Sequence, residues 1–470
     1  MARVLLINPS MGDYYRNSKV AAAITLSPPL NLALLAGSLR RAGHEVHALD
    51  LEAEPIEVEQ RLRAVKPDMV GVTFRTPLFP QARRIAESAR KLLPSALLVA
   101  GGVHPSTRPE ETLLRAPFDV VVRGEGDQTI VDLAGGADPD SLPGVTTRSA
   151  HNPARTLIAD VNDLAFGAWD LFDNPGGGLQ RYRRRSLVAD TVPVADLEFS
   201  RGCRARCVYC TKGVFGNLWR NKAPERFVDE LEHARAAGFR AFNLVDDSFT
   251  TITSRAIETC EEMIRRGIDM PWTLTNGIRV GNVNEEFFRV ARQAGCKLLA
   301  FGFESGSDRV LKRIKKGATV AQARRAVGWA RKYDFTILGY FMVGLPGEDA
   351  ETIRETAELA CELDVDFAKF SITMPLPGTP LYDEWAPNIR DEATYDFSIH
   401  QPDNGLYDHP GFSWPELEGH TRMAYRSFYG RPRYVARQVW RSWKRGSLSR
   451  EARYTMAMGS AGLMDAFRRR

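Results

Sequence analysis

Residues 200–213 read SRGCRARCVYCTKG, from Ser200 to Gly213, and place three of the chain's six cysteines, Cys203, Cys207 and Cys210, at the spacing C-x3-C-x2-C. A short apolar run, 194–199, leads into them. Three thiolates on one tight loop can hold three irons of a cubane cluster and leave the fourth iron open to a small-molecule ligand. A zinc knuckle or a disulfide pair are the bland alternatives. Zinc needs a fourth ligand, and no His or Cys lies nearby in sequence to complete a paired C-x2-C pattern.

On either side of this loop the chain alternates strand-like and helix-like runs. Downstream, strands are expected at 195–199, 241–245, 272–276, 297–303, 337–343 and 368–374, with helices at 224–236, 254–266, 284–293, 320–333 and 350–363. Six such units make a partial (βα)6 barrel of the TIM type, in which function collects at the carboxyl ends of the strands. Upstream, apolar runs at 4–7, 45–49, 69–73, 97–100 and 120–122 alternate with helical patterns such as 29–42 and 80–93. That alternation implies a doubly wound, Rossmann-like parallel sheet of about five strands. Ligands of such sheets lie beyond the strand ends, here Asn8-Pro9-Ser10, Thr73 to Thr76, Gly101 to Pro105 and Arg123 to Gly126. No G-x-G-x-x-G follows the first strand, which argues against a dinucleotide site. The pair Gly101-Gly102 lets backbone approach a bulky ligand.

The C-x3-C-x2-C spacing, with the aromatic Tyr209 before the last cysteine, resembles the radical S-adenosylmethionine (SAM) enzymes, whose three cysteines hold a 4Fe-4S cluster. With the GGVHPS and VVRGEGD segments in front of it, the whole resembles the cobalamin-dependent branch of that family. The resemblance implies cobalamin, as methylcobalamin, near Ser10, Thr73, Arg75, Gly101, Gly102, His104, Gly124 and Glu125. The D-x-H-x-x-G motif is missing from the loop NPSMGDYYRNS, which implies a cobalt without a protein His on its lower face; Arg75 or the loop 10–15 would approach that face. His104 and His44 otherwise read as a loop and a structural histidine. For SAM, the resemblance implies Asp246 or Asp247 of the DDSF strand end, Glu304 in GFESGS, Asn276 at the third strand end, and backbone groups of GYFMVGLPGE around Gly344. No role is carried over to Glu348, and no catalytic acid or base is assigned.

The resulting division is a cobalamin-binding domain (1–140), a connector (141–192) that Trp169, Leu171 and Phe172 pack against a neighbour, the barrel (193–385) and a mostly helical substrate-shaping region (386–470). The last includes Tyr382 and Trp385 at its approach, then Tyr395, Phe397, His400, His409, Trp414 and His420, expected to close the barrel mouth. The 470 residues, 44% hydrophobic and 26% charged, suit a soluble protein of two or three cores. No run of about 18 apolar residues appears, so no membrane span is expected, and the N-terminus is too short in apolar residues for a signal peptide. The expected location is cytoplasmic, and the expected state is a monomer. Cys260, Cys296 and Cys361 read as core residues. From Arg422 to Arg470 basic residues, interleaved with Tyr and Trp, greatly outnumber Glu451 and Asp465. This patch suits an anionic or lipid-like acceptor or a membrane surface, or a solvated helical face, and gives no ground for nucleic-acid binding.

The implied activity is reductive cleavage of SAM to a 5'-deoxyadenosyl radical, with electrons from an external donor such as flavodoxin or ferredoxin. Hydrogen abstraction from an unactivated carbon of a small-molecule or lipid-like substrate and methylation of that carbon would follow. The alternatives are oxidative cyclisation or ring rearrangement without methyl transfer, a cofactor carrier without catalysis, and a zinc-stabilised binding module.

Overall fold

The computed structural model describes residues 1–10, 26–54, 56–173, 178–182, 192–390, 407–444, 446 and 448. Of the residues singled out above, 11–18, 395, 397, 400, 445, 447 and 449–470 lie outside that set. The first sheet comprises β1 (Arg3–Asn8), β2 (Glu45–Asp50), β3 (Met69–Thr73), β4 (Leu97–Gly101), β5 (Val120–Val122) and β6 (Val145–Thr146), in the order β2-β1-β3-β4-β5-β6. All pairs are parallel except β5 with β6, so the sheet continues past position 140. Side chains alternate across a strand, and β1 shows it. Val4 and Leu6 join the core under helix Leu30–Arg41, while Leu5 and Ile7 join the one under helix Phe79–Leu92. The strand order reverses between β1 and β3, which opens a crevice at their carboxyl ends.

The second sheet is built from β7 (Val194–Leu197), β10 (Ala241–Leu244), β11 (Trp272–Ile278), β12 (Cys296–Glu304), β13 (Thr336–Val343) and β14 (Phe367–Ile372), parallel throughout and in sequential order. A two-stranded antiparallel ribbon, β8 (Ser200–Arg201) with β9 (Arg220–Asn221), brackets the cysteine loop and was not expected from sequence. The helices Pro224–Ala236 and Ala350–Leu363 have the expected limits, and three more, Thr253–Arg265, Glu285–Gln293 and Val320–Lys332, fall within a residue of theirs. Ala350–Leu363 starts at Asp349, whose carboxylate caps the first turn in a capping box with Thr352, satisfying amides that have no partner inside the helix.

The connector does pack as a joint. Trp169 meets Phe239 edge-on at 5.2 Å, and Ala168 donates its amide to Ala33. Trp169, Phe172 and Tyr182 belong to one hydrophobic core that runs from the first sheet into the barrel.

Helices Trp414–Tyr429 and Pro432–Lys444 complete the chain's described part. An edge strand exposes unpaired backbone groups, and β14 is such an edge. Its amides and carbonyls meet tyrosine hydroxyls instead: Tyr425 at Phe370, Tyr429 at Ala368, and Tyr434 at the carbonyl of Asp366. Tyr429→Phe keeps the ring packing but strands both edge groups of Ala368. It is expected to cost about 1–2 kcal/mol, read as a lower midpoint in thermal unfolding.

Candidate functional site

The cysteine loop is held open at its base and buried along its stem. Gly202 begins it at φ +84, where an added Cβ would lie 2.2 Å from the carbonyl oxygen of Leu218, so only glycine fits. Cys203 and Cys207 are buried and Cys210 is exposed. Cys203, Ala205, Cys207 and Tyr209 pack on one another. Among the described residues no three His, Cys, Asp or Glu converge as ligands of a single metal ion. A cubane places each cysteine on a different iron, and one loop carrying Cys203, Cys207 and Cys210 as free thiols fits that group.

Asp246 anchors this loop. Its carboxylate is buried and accepts hydrogen bonds from the Phe199 amide at 2.7 Å and the Ser200 hydroxyl, and Ser200 Oγ in turn accepts from Trp219 Nε1 at 3.0 Å. Burial raises its pKa to about 7. The expectation that either Asp246 or Asp247 meets SAM is thereby narrowed: Asp246 is committed to the loop's stem, and Asp247 is the one that faces the cavity. Burial also raises Asp247.

That cavity, of about 590 Å³, lies between the carboxyl ends of the first sheet and the cysteine loop. Its floor is apolar, with Leu6, Leu32, Val99, Val122 and Ile130, and its rim carries Arg75, Lys212, Asp196 and Asp247. Thr73, Arg75, Gly101, Gly102, Gly124 and Glu125 all line it. A Cβ at Gly101 would meet nothing within 4 Å, so this glycine faces open space. Gly102 is different, because its Cβ would collide with Phe74 O at 2.8 Å and Thr73 Oγ1 at 2.9 Å. Its glycine serves the β3–β4 contact rather than a ligand. A broad apolar hollow with a flat glycine wall and a polar rim fits a bulky, amide-rimmed macrocycle such as cobalamin.

Three expected cobalamin contacts stand apart. Ser10 hydrogen-bonds Glu52 at 2.8 Å and does not line the cavity. His104 is fully buried, its ring 4.8 Å from that of Phe79 and its Nδ1 3.2 Å from Thr76 Oγ1. Burial lowers its pKa to about 3, so it is a neutral core histidine outside the cavity lining. Glu125 touches the cavity, but its carboxylate is occupied. It pairs with Arg220 at 2.8 Å and Arg201 at 3.2 Å and accepts the Ile158 amide at 2.8 Å. Arg201 also pairs with Asp127 at 2.8 Å and Glu198 at 2.7 Å, all of them buried. These charges tie the first sheet's β5 loop to the stem of the cysteine loop.

At the barrel mouth Glu304 holds a left-handed φ of +66, uncommon for a residue with a side chain. Its carboxylate pairs with buried Lys316 at 2.7 Å, and Lys316 Nζ also donates to Tyr209 Oη at 3.3 Å, so Glu304 is aimed at the cysteine loop. Asn276 Nδ2 donates to Val245 O at 2.6 Å, which fixes the end of β10 beside Asp247. Gly344 and Leu345 donate their amides to Glu348, and Gly344 O accepts from His409 Nε2 at 2.8 Å. Glu348, left without a role by sequence, therefore organises the GLPG turn. Burial raises it to about 7. Trp385, Tyr407 and Trp414 pack with His409 over this end of the barrel.

The concave face of the barrel is closed at its base by Leu298, Ala300, Leu338 and Phe367. One layer higher it opens. Lys369 stands beside Tyr340 in register on that face, exposed and with no carboxylate partner among the described residues. Nothing in the sequence marked this lysine. Within the basic C-terminal patch, three arginines are already engaged: Arg431 and Arg437 pair with Asp364, and Arg441 pairs with Asp366.

Comparison with known proteins agrees with this geometry. The B12 binding domain model matches residues 20–134 and the Radical SAM superfamily model residues 197–360. An uncharacterized methyltransferase of Pyrococcus horikoshii is 32% identical over 88% of this chain and 90% of its own. The anaerobic magnesium-protoporphyrin IX monomethyl ester cyclase of Cereibacter sphaeroides is 30% identical over 86% of this chain and 67% of its own. The solved radical SAM methyltransferase TsrM of Kitasatospora setae, with cobalamin and a [4Fe-4S] cluster bound, shares the fold at TM-score 0.69 and 20% identity, over 90% of this chain and 88% of that one. The chain belongs to the cobalamin-dependent radical SAM enzymes. Its relatives support the methyltransferase reading over the cyclase. Among the described residues no helix is long and apolar enough to cross a membrane.

Arg201→Met removes the shared partner of three buried carboxylates. The expected loss is about 3–5 kcal/mol, seen as a lowered unfolding midpoint together with weaker cobalamin retention on gel filtration.

Proposed function

We propose that this enzyme methylates an unactivated carbon of a small molecule. The observation that carries the reading is one cavity walled by the corrin-type sheet on one side and the cysteine loop on the other. When bound, the cluster with SAM supplies a hydrogen-abstracting radical, and cobalamin supplies a transferable methyl group. The chain's own residues hold and shield those groups. Cys203, Cys207 and Cys210 carry the cluster, Asp247, Glu304, Asn276 and the Gly344 turn bind SAM, and Thr73, Arg75, Gly101 and Gly124 border the corrin. Lys316 aims Glu304, and Asp246 aims the cysteine loop. Positioning of this kind accounts for much of a rate when several reactants must meet.

Lys369 gives the acceptor a class. A cation on the open concave face with no carboxylate partner among the described residues suits a substrate carboxylate or phosphate, because hydrogen bonds to charged groups are the stronger ones. The electrons come from an external one-electron donor, and the protein acts as a monomer. Cyclisation is the second reading, favoured by the C. sphaeroides relative.

Substituting all three cysteines by Ala is expected to remove both the visible iron-sulfur absorption and SAM cleavage in the anaerobically reconstituted protein. With methyl-labelled SAM the product is expected to carry label, and an unlabelled, dehydrogenated product would move the assignment to cyclisation. Lys369→Met is expected to lower turnover of an anionic acceptor by about tenfold or more while uncoupled SAM cleavage persists.

A further inference from the structure

Helix Pro432–Lys444 is turned the unexpected way round. Its packed face consists of Tyr434, Gln438 and Ser442, polar residues or polar-tipped ones. Its outward face carries Val435, Val439, Trp440 and Trp443, which are 51%, 52%, 55% and 70% exposed. Positions 435, 439, 440 and 443 fall on one side of a helix, so these side chains make a continuous apolar stripe. Exposed Arg433 and Lys444 border it, and the Lys444 ammonium lies 5.4 Å from the centre of the Trp440 ring. Inward-facing cations explain the inversion. Arg437 and Arg441 reach Asp364 and Asp366 at the amino end of β14, and Tyr434 caps the carbonyl of Asp366. The helix is thereby clamped by charge with its apolar side left outward.

Paired tryptophans edged by lysine and arginine match the chemistry of a bilayer interface, where indoles sit at headgroup level and cations meet anionic lipid. A second copy of this chain suits the stripe less well. A two-fold contact brings a patch against itself and would gather the basic border of both copies, Arg433 and Lys444, into one contact. The sequence strengthens the bias, with six arginines against two acids in residues 445–470. We propose that this stripe is a peripheral docking surface for an anionic phospholipid membrane. The stripe sits at the amino ends of the barrel strands, opposite the site, so it tethers the enzyme rather than admitting substrate. The proposal does not depend on the reaction assigned above.

The test is cosedimentation of the full, reconstituted chain with vesicles of phosphatidylcholine alone or mixed with phosphatidylglycerol. Binding is expected only with phosphatidylglycerol, accompanied by a blue shift of tryptophan emission, and it should fade in about 1 M salt as the Debye length shrinks to about 3 Å. Trp440→Ser with Trp443→Ser should lower partitioning at least about tenfold, and Arg433→Glu or Lys444→Glu about fivefold or more for each site. All four positions are exposed and outside the site, so SAM cleavage and circular dichroism should stay unchanged in these variants. Absence of binding to the anionic vesicles overturns the proposal. So does equal binding by the tryptophan variant, or sedimentation velocity showing a dimer of the parent chain that the tryptophan variant loses.

Discussion

The ion cluster of Arg201 and Arg220 with Glu125, Asp127 and Glu198 is the constraint on which the site depends. Arg201 and Glu125 are each 4% exposed at the side chain, and such charges are tolerated only when each is closely paired. A carboxylate on the loop after β5 cannot move away from the stem of the cysteine loop without leaving a buried arginine uncompensated. The spacing between the two sheets, and so the depth of the cavity, follows from that pairing. An apolar interface could be as stable, but it would allow sliding, whereas bidentate guanidinium contacts define a register.

Around this joint the barrel works as a support for one loop. Gly202 permits its tight start, Asp246 and Trp219 hold its stem through Ser200, and Lys316 reaches Tyr209 near its end. The left-handed backbone at Glu304 belongs to the same arrangement, and its carboxylate pairs with Lys316. The carboxylates that organise the mouth, Asp246 and Glu348, are both raised to about 7 by burial. Such groups cost stability as they ionise, so each carries hydrogen-bond donors that offset that cost.

The C-terminal region does two separate jobs. Near Trp385 and His409 it seals the carboxyl end of β13 and β14, and further on its tyrosines finish the open edge of β14. The hydroxyls at Tyr425, Tyr429 and Tyr434 stand where a further strand would stand. A half-barrel has two open edges, and this is how the chain protects one of them from pairing with other chains.

Much of this was legible in the sequence. Apolar runs of strand length set between helical periods determined both parallel sheets, because that period is local and each run must bury its own face. The spacing of Cys203, Cys207 and Cys210 determined the cluster loop for the same reason, since all three lie within one turn of chain. Pairings between distant segments were decided only by tertiary structure. That Asp246 faces inward and Asp247 outward, that Glu125 is consumed by arginines 76 and 95 residues away, and that His104 is shut inside an aromatic pocket have no local signature. The basic C-terminus shows the difference most plainly. Composition marks it as cationic, but only the fold shows that Arg431, Arg437 and Arg441 turn inward to Asp364 and Asp366 while two tryptophans turn out. Hydrophobic period is written along the chain, whereas the partner of a charge depends on which elements the fold brings together.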